Sequence, residues 1–170
     1  MNLSIRKAVP NDAPDIAHVH VVSWQETYRG IVPQTYLDSL DTGARTELWK
    51  TRLGRADSNV LVAILDGQLC GFIGGGGARE AIEDFDAEFY AIYLLDAAKG
   101  KGIGRLLMRR LVETLRAYGL TKAMLWVLAD NNSRLFYEHL GGQVIAQKTV
   151  PVGGADLLEI AYGWQDLRTI

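Results

Sequence analysis

The sequence is short of the features that would place it in several large classes of protein. Its 18 basic residues are outnumbered by 20 acidic ones, a net charge of −2. A dedicated nucleic-acid surface needs a basic surplus, so no nucleic acid is expected among its partners. It has one cysteine, Cys70, too few for an internal disulfide, which fits a cytoplasmic protein. Cys70 lies in an apolar, strand-like run and reads as packing rather than nucleophile. The 3 histidines, His18, His20 and His139, form no metal-ligand spacing, since residues two apart on a helix face different ways; no metal is expected. No apolar run is long enough to span a bilayer, and the opening Met-Asn-Leu-Ser-Ile-Arg-Lys has no signal-like segment behind it. Neither a membrane nor a secreted location is therefore expected. Two phosphate-binding fingerprints are missing as well: no Gly-Lys is followed by Ser or Thr, and no G-x-G-x-x-G opens a βαβ unit.

Apolar residues are not scarce. They make up 48% of the 170 residues, which suits one domain over residues 1–170 with a substantial core. Leu3–Val9 alternates like a strand. Asp12 and Pro14 mark a helix start, with Asp12 as the expected cap of a helix running to about Glu26. A break at 27–33, a short helix near 34–40 and a helix over 43–55 follow. Residues 59–65 and 68–75 straddle Asp66-Gly67, a hairpin turn, and the glycines at 74–77 read as its flexible end. Residues 88–95 form a further strand. From about Gly102 to Tyr118, Ile103, Leu107, Leu111, Leu115 and Tyr118 share one stripe, opposite Arg105, Arg109, Glu113 and Arg116. A strand at 122–128, a helix at 132–140 and a pair of strands at 143–150 and 155–164 complete an α+β pattern with a βαβ unit at its centre.

The most informative stretch is Lys99-Gly100-Lys101-Gly102-Ile103-Gly104-Arg105, between strand 88–95 and the helix after it. Glycines at a strand-to-helix turn leave backbone N–H groups unpaired and open to a ligand. The helix dipole and the nearby cations add positive potential, so the loop suits a phosphate group. Downstream, Val127-Leu128 leads through Asn131 to Phe136-Tyr137-Glu138 and Gly141.

Together these two segments resemble the GNAT superfamily of acetyl-CoA-dependent N-acetyltransferases. The first matches its (Q/R)-x-x-G-x-G/A pyrophosphate loop and the second its V-L-x-x-N…F-Y-E-x-x-G segment; they cover about a third of the chain. Lys99 departs from the family's Gln or Arg. The resemblance implies a twisted, mostly antiparallel mixed sheet of about seven strands flanked by helices. Strands 88–95 and 122–128 would splay into a V-shaped groove. It implies acetyl-CoA as co-substrate, its arm along Tyr93, Leu94 and Leu95 and its diphosphate on the amides of Gly100 to Arg105. Asn131 matches the asparagine that bonds the cofactor arm, although an asparagine before a helix is also an ordinary cap. Tyr137 matches the family's general acid for the departing thiolate.

The implied reaction is direct attack by a primary amine, from a small molecule or a peptide, on the thioester carbonyl in a ternary complex. An amine near pKa ~10 arrives protonated, so a base is needed. Glu88 is the first candidate, or else a surface carboxylate, and Glu26 is the second. Trp24, Glu26 and Tyr28 occupy the segment that covers the acceptor pocket in this family, although Trp24 and Tyr28 also fit helical core spacing. Five acids lie between residues 80 and 88, which either draw cationic acceptors or form a solvated loop. A non-catalytic acyl-CoA sensor is the alternative function, and a homodimer is left open.

Overall fold

The computed structural model describes residues 2–170. Seven strands form one sheet in the order β1-β2-β3-β4-β5-β7-β6. They are β1 (Leu3–Lys7), β2 (Val60–Leu65), β3 (Gln68–Gly77), β4 (Ala87–Leu94), β5 (Ala123–Leu128), β6 (Gln143–Val152) and β7 (Ala155–Trp164). All neighbours are antiparallel except β4 and β5. The helices are α1 (Ala13–Thr27), α2 (Gln34–Asp38), α3 (Thr42–Leu53), α4 (Ile103–Ala117) and α5 (Arg134–His139). This is the α+β architecture expected from the sequence.

Strand alternation sends neighbouring side chains to opposite faces of the sheet. Phe72 packs with Val62, α1 and α3, whereas Ile73 packs with Phe89 and α4 on the other side. α4 buries Ile103, Leu107, Leu111 and Leu115 at a spacing of four, with Met108 and Val112 beside them. Each fully buried leucine contributes about 1.5–3 kcal/mol. Tyr118 leaves the expected stripe: it is 65% exposed, because the helix has ended and the chain turns at Gly119. Asp12 does not cap α1 with its side chain. Its carboxylate instead accepts from Arg6 at 2.7 and 2.8 Å and from the Val9 amide at 2.8 Å, tying β1 to the start of α1.

The glycines at 74–77 belong to the strand rather than its end, for β3 continues to Gly77. A Cβ at Gly75 would lie 2.7 Å from the Glu88 carbonyl and 3.0 Å from Leu111 Cδ2, and one at Gly76 would lie 2.6 Å from the Tyr90 hydroxyl. Glycine here lets β3 come close to β4 at a bulge. Gly74 faces Ala91 and Gly75 faces Phe89, so Tyr90 is the extra residue. Gly75→Ala is expected to lower stability by about 1–3 kcal/mol, the usual range for overpacking. A thermal melt should show a drop of a few degrees; an unchanged melting temperature would mean that β4 has room to yield.

Candidate active site

β4 and β5 pair only at Ala87↔Ala123 and Glu88↔Met124. Beyond Glu88 they separate, and the Tyr90 bulge bends β4 where its neighbour leaves. One edge of β4 is therefore unpaired from Phe89 onward. A cavity of about 440 Å³ fills the gap, bounded by Ile92, Tyr93 and Leu94 along β4, Phe136 and Tyr137 on α5, and the loop leading into α4.

The loop has the features of an anion cradle. Gly100 and Gly102 have φ of 71° and 77°, the left-handed region that glycine enters without strain. Among the described residues, no protein acceptor meets the amides of residues 100–105, and no side chain caps α4. These donors and the α4 dipole converge on the cavity. A Cβ at Gly104 would meet Phe136 Cζ at 3.3 Å and Leu94 Cδ1 at 3.4 Å, so glycine keeps the helix start tight against both. The loop's cations divide unevenly. Lys99 bonds Asp96 at 2.5 Å and Lys101 folds back onto the Ala97 carbonyl at 2.7 Å, leaving Arg105 without an ion-pair partner among the described residues. An extended ligand carrying a diphosphate fits this edge and this cradle.

Tyr93, Leu94, Lys99, Gly100, Gly102, Ile103, Gly104, Arg105, Asn131, Tyr137 and Tyr28 all line this one cavity. Leu95 follows β4 and donates its amide to the Cys70 carbonyl at 3.0 Å. Cys70 itself is buried, and burial raises its thiol. Asn131 is held within the protein: its Oδ1 accepts from the Ser133 amide at 2.8 Å, just ahead of α5, and its Nδ2 donates to the Tyr28 hydroxyl at 3.4 Å inside the groove. Tyr137 is 6% exposed, more buried than Phe136, and burial pushes its phenol well above the usual tyrosine value. Its hydroxyl makes no hydrogen bond to protein among the described residues and lies against the cavity.

A second cavity, of about 430 Å³, opens on the other side of Tyr28 and Tyr93, which line both. Glu88 and Trp24 belong to this one. Glu88 is 2% exposed and already engaged: Arg79 gives it a guanidinium N–H at 2.5 Å and its amide at 2.9 Å. Arg79 also lies over the Tyr90 ring, 4.4 Å from its centre. Glu88→Gln keeps the acceptor for the Arg79 amide but removes the charge. Because the Arg79 side chain is 60% exposed, the loss is expected to be only about 1 kcal/mol. Urea denaturation measures it, and a loss of several kcal/mol would show a pair far less screened than this.

Glu26 is not gathered with the others. Its carboxylate accepts from the Asp96 amide at 3.2 Å, capping the 3-10 turn at Asp96–Ala98. The acids of the 80–88 segment are mostly engaged too. Glu80 pairs with Lys148, Asp84 with Lys122, and Asp86 accepts from the Thr121 and Lys122 amides. Sequence reasoning passes over Arg79, Trp126, Lys148 and Glu159, which line the second cavity. For Glu159 the signal is a lone carboxylate inside the otherwise apolar run Leu157-Leu158-Glu159-Ile160-Ala161. Among the described residues no group of three or more His, Cys, Asp or Glu side chains could hold a metal, and no helix is long and apolar enough to cross a membrane.

Known proteins resemble this chain in sequence and in fold. The chain is 36% identical over 169 residues to the uncharacterized N-acetyltransferase YuaI of Bacillus subtilis (strain 168), covering 99% of this chain and 96% of that protein. It is 30% identical over 138 residues to an uncharacterized N-acetyltransferase of Archaeoglobus fulgidus, covering 79% and 89%. Its fold matches PaiA N-acetyltransferase from Thermoplasma acidophilum, solved in complex with coenzyme A, with a TM-score of 0.73 at 24% identity over 96% of this chain and 100% of that one. It also matches yncA from Salmonella typhimurium, solved with its cofactor acetyl-CoA, with a TM-score of 0.72 at 25% identity over 97% and 94%. The sequence model of the acetyltransferase (GNAT) family spans residues 23–142, from α1 through the cradle to the glycines after α5. Most of the chain, including the whole groove, lies within that match, and the protein belongs to the acetyltransferase (GNAT) family.

Proposed function

We propose that the protein is an acetyl-CoA-dependent N-acetyltransferase whose acceptor is a primary amine, with both substrates bound together. The observation that carries this reading is the junction of two cavities at Tyr28 and Tyr93. One cavity has a diphosphate cradle and a free strand edge; the other has aromatic walls and carboxylates. Bound acetyl-CoA supplies the activated thioester carbonyl. The amides of residues 100–105 and the Arg105 side chain hold its diphosphate, and the open edge of β4 pairs with the extended arm as an added strand. That fixes the reacting carbonyl beside Tyr93 and Leu94, where a backbone N–H stabilises the developing negative charge on oxygen. Tyr137, kept protonated by burial, gives its proton to the leaving sulfur. Trp24, Tyr28 and Tyr93 wall the acceptor side.

Calorimetry with coenzyme A, NAD and ATP in parallel tests the cofactor, and thiol release against a panel of amines and peptides tests the reaction. Coenzyme A alone is expected to bind, and at least one amine to drive release. Tight coenzyme binding with no amine consumed would leave the protein a sensor of acyl-CoA instead.

A further inference from the structure

The second cavity is lined by five charged side chains, Arg79, Glu80, Glu88, Lys148 and Glu159. Four of them cancel in pairs: Arg79 with Glu88 at 2.5 Å, and Lys148 with Glu80 at 2.6 Å. Lys148 lies directly opposite Glu159 across β6 and β7, yet it extends to Glu80 and over the Trp126 ring, 4.1 Å from its centre. Glu159 is half-buried, and its carboxylate has no hydrogen bond or ion pair among the described residues. Its charge reaches Tyr28 and Tyr93, whose phenols it helps to raise. Those two residues also line the cofactor cavity, so Glu159 is the uncommitted carboxylate facing the junction.

A half-buried carboxylate without a partner is costly unless a cation fills the space before it. The cavity is short of one positive charge, and its rings (Trp24, Tyr28, Tyr93 and Trp126) favour a cation next to an apolar body. It offers no uncommitted cation to a ligand carboxylate, since both Arg79 and Lys148 are paired. We propose that Glu159 receives the ammonium group of the acceptor and takes its proton, and that the acceptor is a small primary amine with one positive charge and no carboxylate beside it. This assignment rests on the acetyltransfer reading above.

Glu159 takes one proton from the ammonium nitrogen, whose lone pair then forms the C–N bond as the C–S bond breaks. Tyr137 gives its proton to the departing sulfur, and a second nitrogen-bound proton restores the phenol. Glu159 then releases its proton to solvent. Burial raises the Glu159 carboxyl above the usual range, as a proton acceptor requires; Lys148 and Arg79 oppose that rise, while Glu80 and Glu88 add to it. Glu88, with both oxygens held by Arg79, is left as the brace of the β3–β4 loop.

The test follows thiol release from acetyl-CoA with paired acceptors that differ only in an α-carboxylate, 2-phenylethylamine beside phenylalanine and isopentylamine beside leucine. It compares the unaltered protein with Glu159→Gln and Glu159→Asp. The amines are expected to exceed their amino acids by at least ~10-fold in kcat/KM, about the discrimination of one unpaired buried charge. Glu159→Gln should lower kcat/KM for the amines by ~10²-fold and abolish the acid limb of its pH profile, with Glu159→Asp regaining part of the rate. Calorimetric affinity for coenzyme A should be equal in all three proteins. Wild-type kinetics in Glu159→Gln with amine transfer intact would overturn the role of Glu159 alone. Preference for the amino acids, or consumption of no amine by a coenzyme-binding protein, would overturn the acceptor class. Failure of the unaltered protein to bind coenzyme A would defeat the acetyltransfer reading itself.

Discussion

Tyr137→Phe is expected to lower turnover by ~10²-fold, a common size for lost general acid–base help, while affinity for coenzyme A and thermal stability stay as they were. The substitution removes one oxygen. The ring keeps its neighbours, with centroids 5.5 Å from Phe136, 6.1 Å from Tyr162 and 6.5 Å from Trp164. No protein hydrogen bond is broken, because the hydroxyl makes none among the described residues. A tyrosine retained only for packing would leave turnover unchanged, and one retained for a buried hydrogen bond would lose stability with its oxygen. Steady-state kinetics, calorimetry and a melt on one preparation separate the three outcomes. The pH profile adds a fourth observation. Burial keeps the phenol protonated beyond the ordinary tyrosine range, so ionisation of Tyr137 is not expected to set the alkaline limb. That limb should persist in Tyr137→Phe at reduced height; its disappearance would show a phenol ionising far lower than its surroundings dictate.

Half of this site was legible in the sequence because it is local. Gly100, Gly102 and Gly104 stand next to one another and to the helix they start, and the unpaired amides of a helix N-terminus follow from backbone geometry alone. Asn131 and Tyr137 sit on a single turn and helix, so their spacing carries their relative placement. The cations of the loop were legible as charges but not as partners. Lys99 turns to Asp96 and Lys101 to the Ala97 carbonyl, local bonds that leave Arg105 as the loop cation without an ion pair among the described residues. The four glycines of β3 resisted reading for a different reason. Glycine marks a close approach as often as a flexible end, and what approaches, the Glu88 carbonyl and Leu111, is far away in the chain.

The second cavity was the least legible part, because distant strands assemble it. Glu159 comes to the groove through the pairing of β7 with β5, where it stands opposite Leu128. Arg79 reaches Glu88 because the pairing of β3 with β4 sets Gly76 opposite Glu88 and Gly77 opposite Ala87. Charge counting along the chain saw five acids near residue 84 and could not tell that Glu80, Asp84, Asp86 and Glu88 are engaged. Which charges are cancelled is a tertiary fact.

His20 links the same region to acid stability, and His20→Gln is expected to remove a large part of that sensitivity. The ring is buried among Trp24, Trp49, Phe72 and Tyr93, stacking on Tyr93 at 5.1 Å, and its Nδ1 accepts from the Trp49 indole at 3.2 Å. Burial, aided by the charges of Arg45 and Arg52, lowers its pKa to about 3, against roughly 6.5 in an unfolded chain. Between those values the unfolded chain binds the proton and the folded one does not, so folding stability rises with pH across the window. It is complete above about pH 6.5 and is lost as pH falls, by up to ~1.4 kcal/mol per unit. From pH 6.5 to 4.5 that amounts to roughly 2.3 kcal/mol from one imidazole, because at pH 6.5 the unfolded ring is only half protonated. Glutamine keeps an acceptor for the Trp49 indole and cannot be protonated. Its absolute stability is expected to be lower for want of the ring, but its loss between pH 6.5 and 4.5 should be smaller by about that amount. Urea unfolding of both proteins across the window measures the difference. Asp12 and the other carboxylates contribute alike to both, and His18 and His139 are exposed. Parallel stability curves would mean that His20 is charged or freely solvated in the fold. Convergence of the curves near pH 4.5 would instead tie the acid lability of the protein to the ring that supports Tyr93, one of the residues that line both cavities.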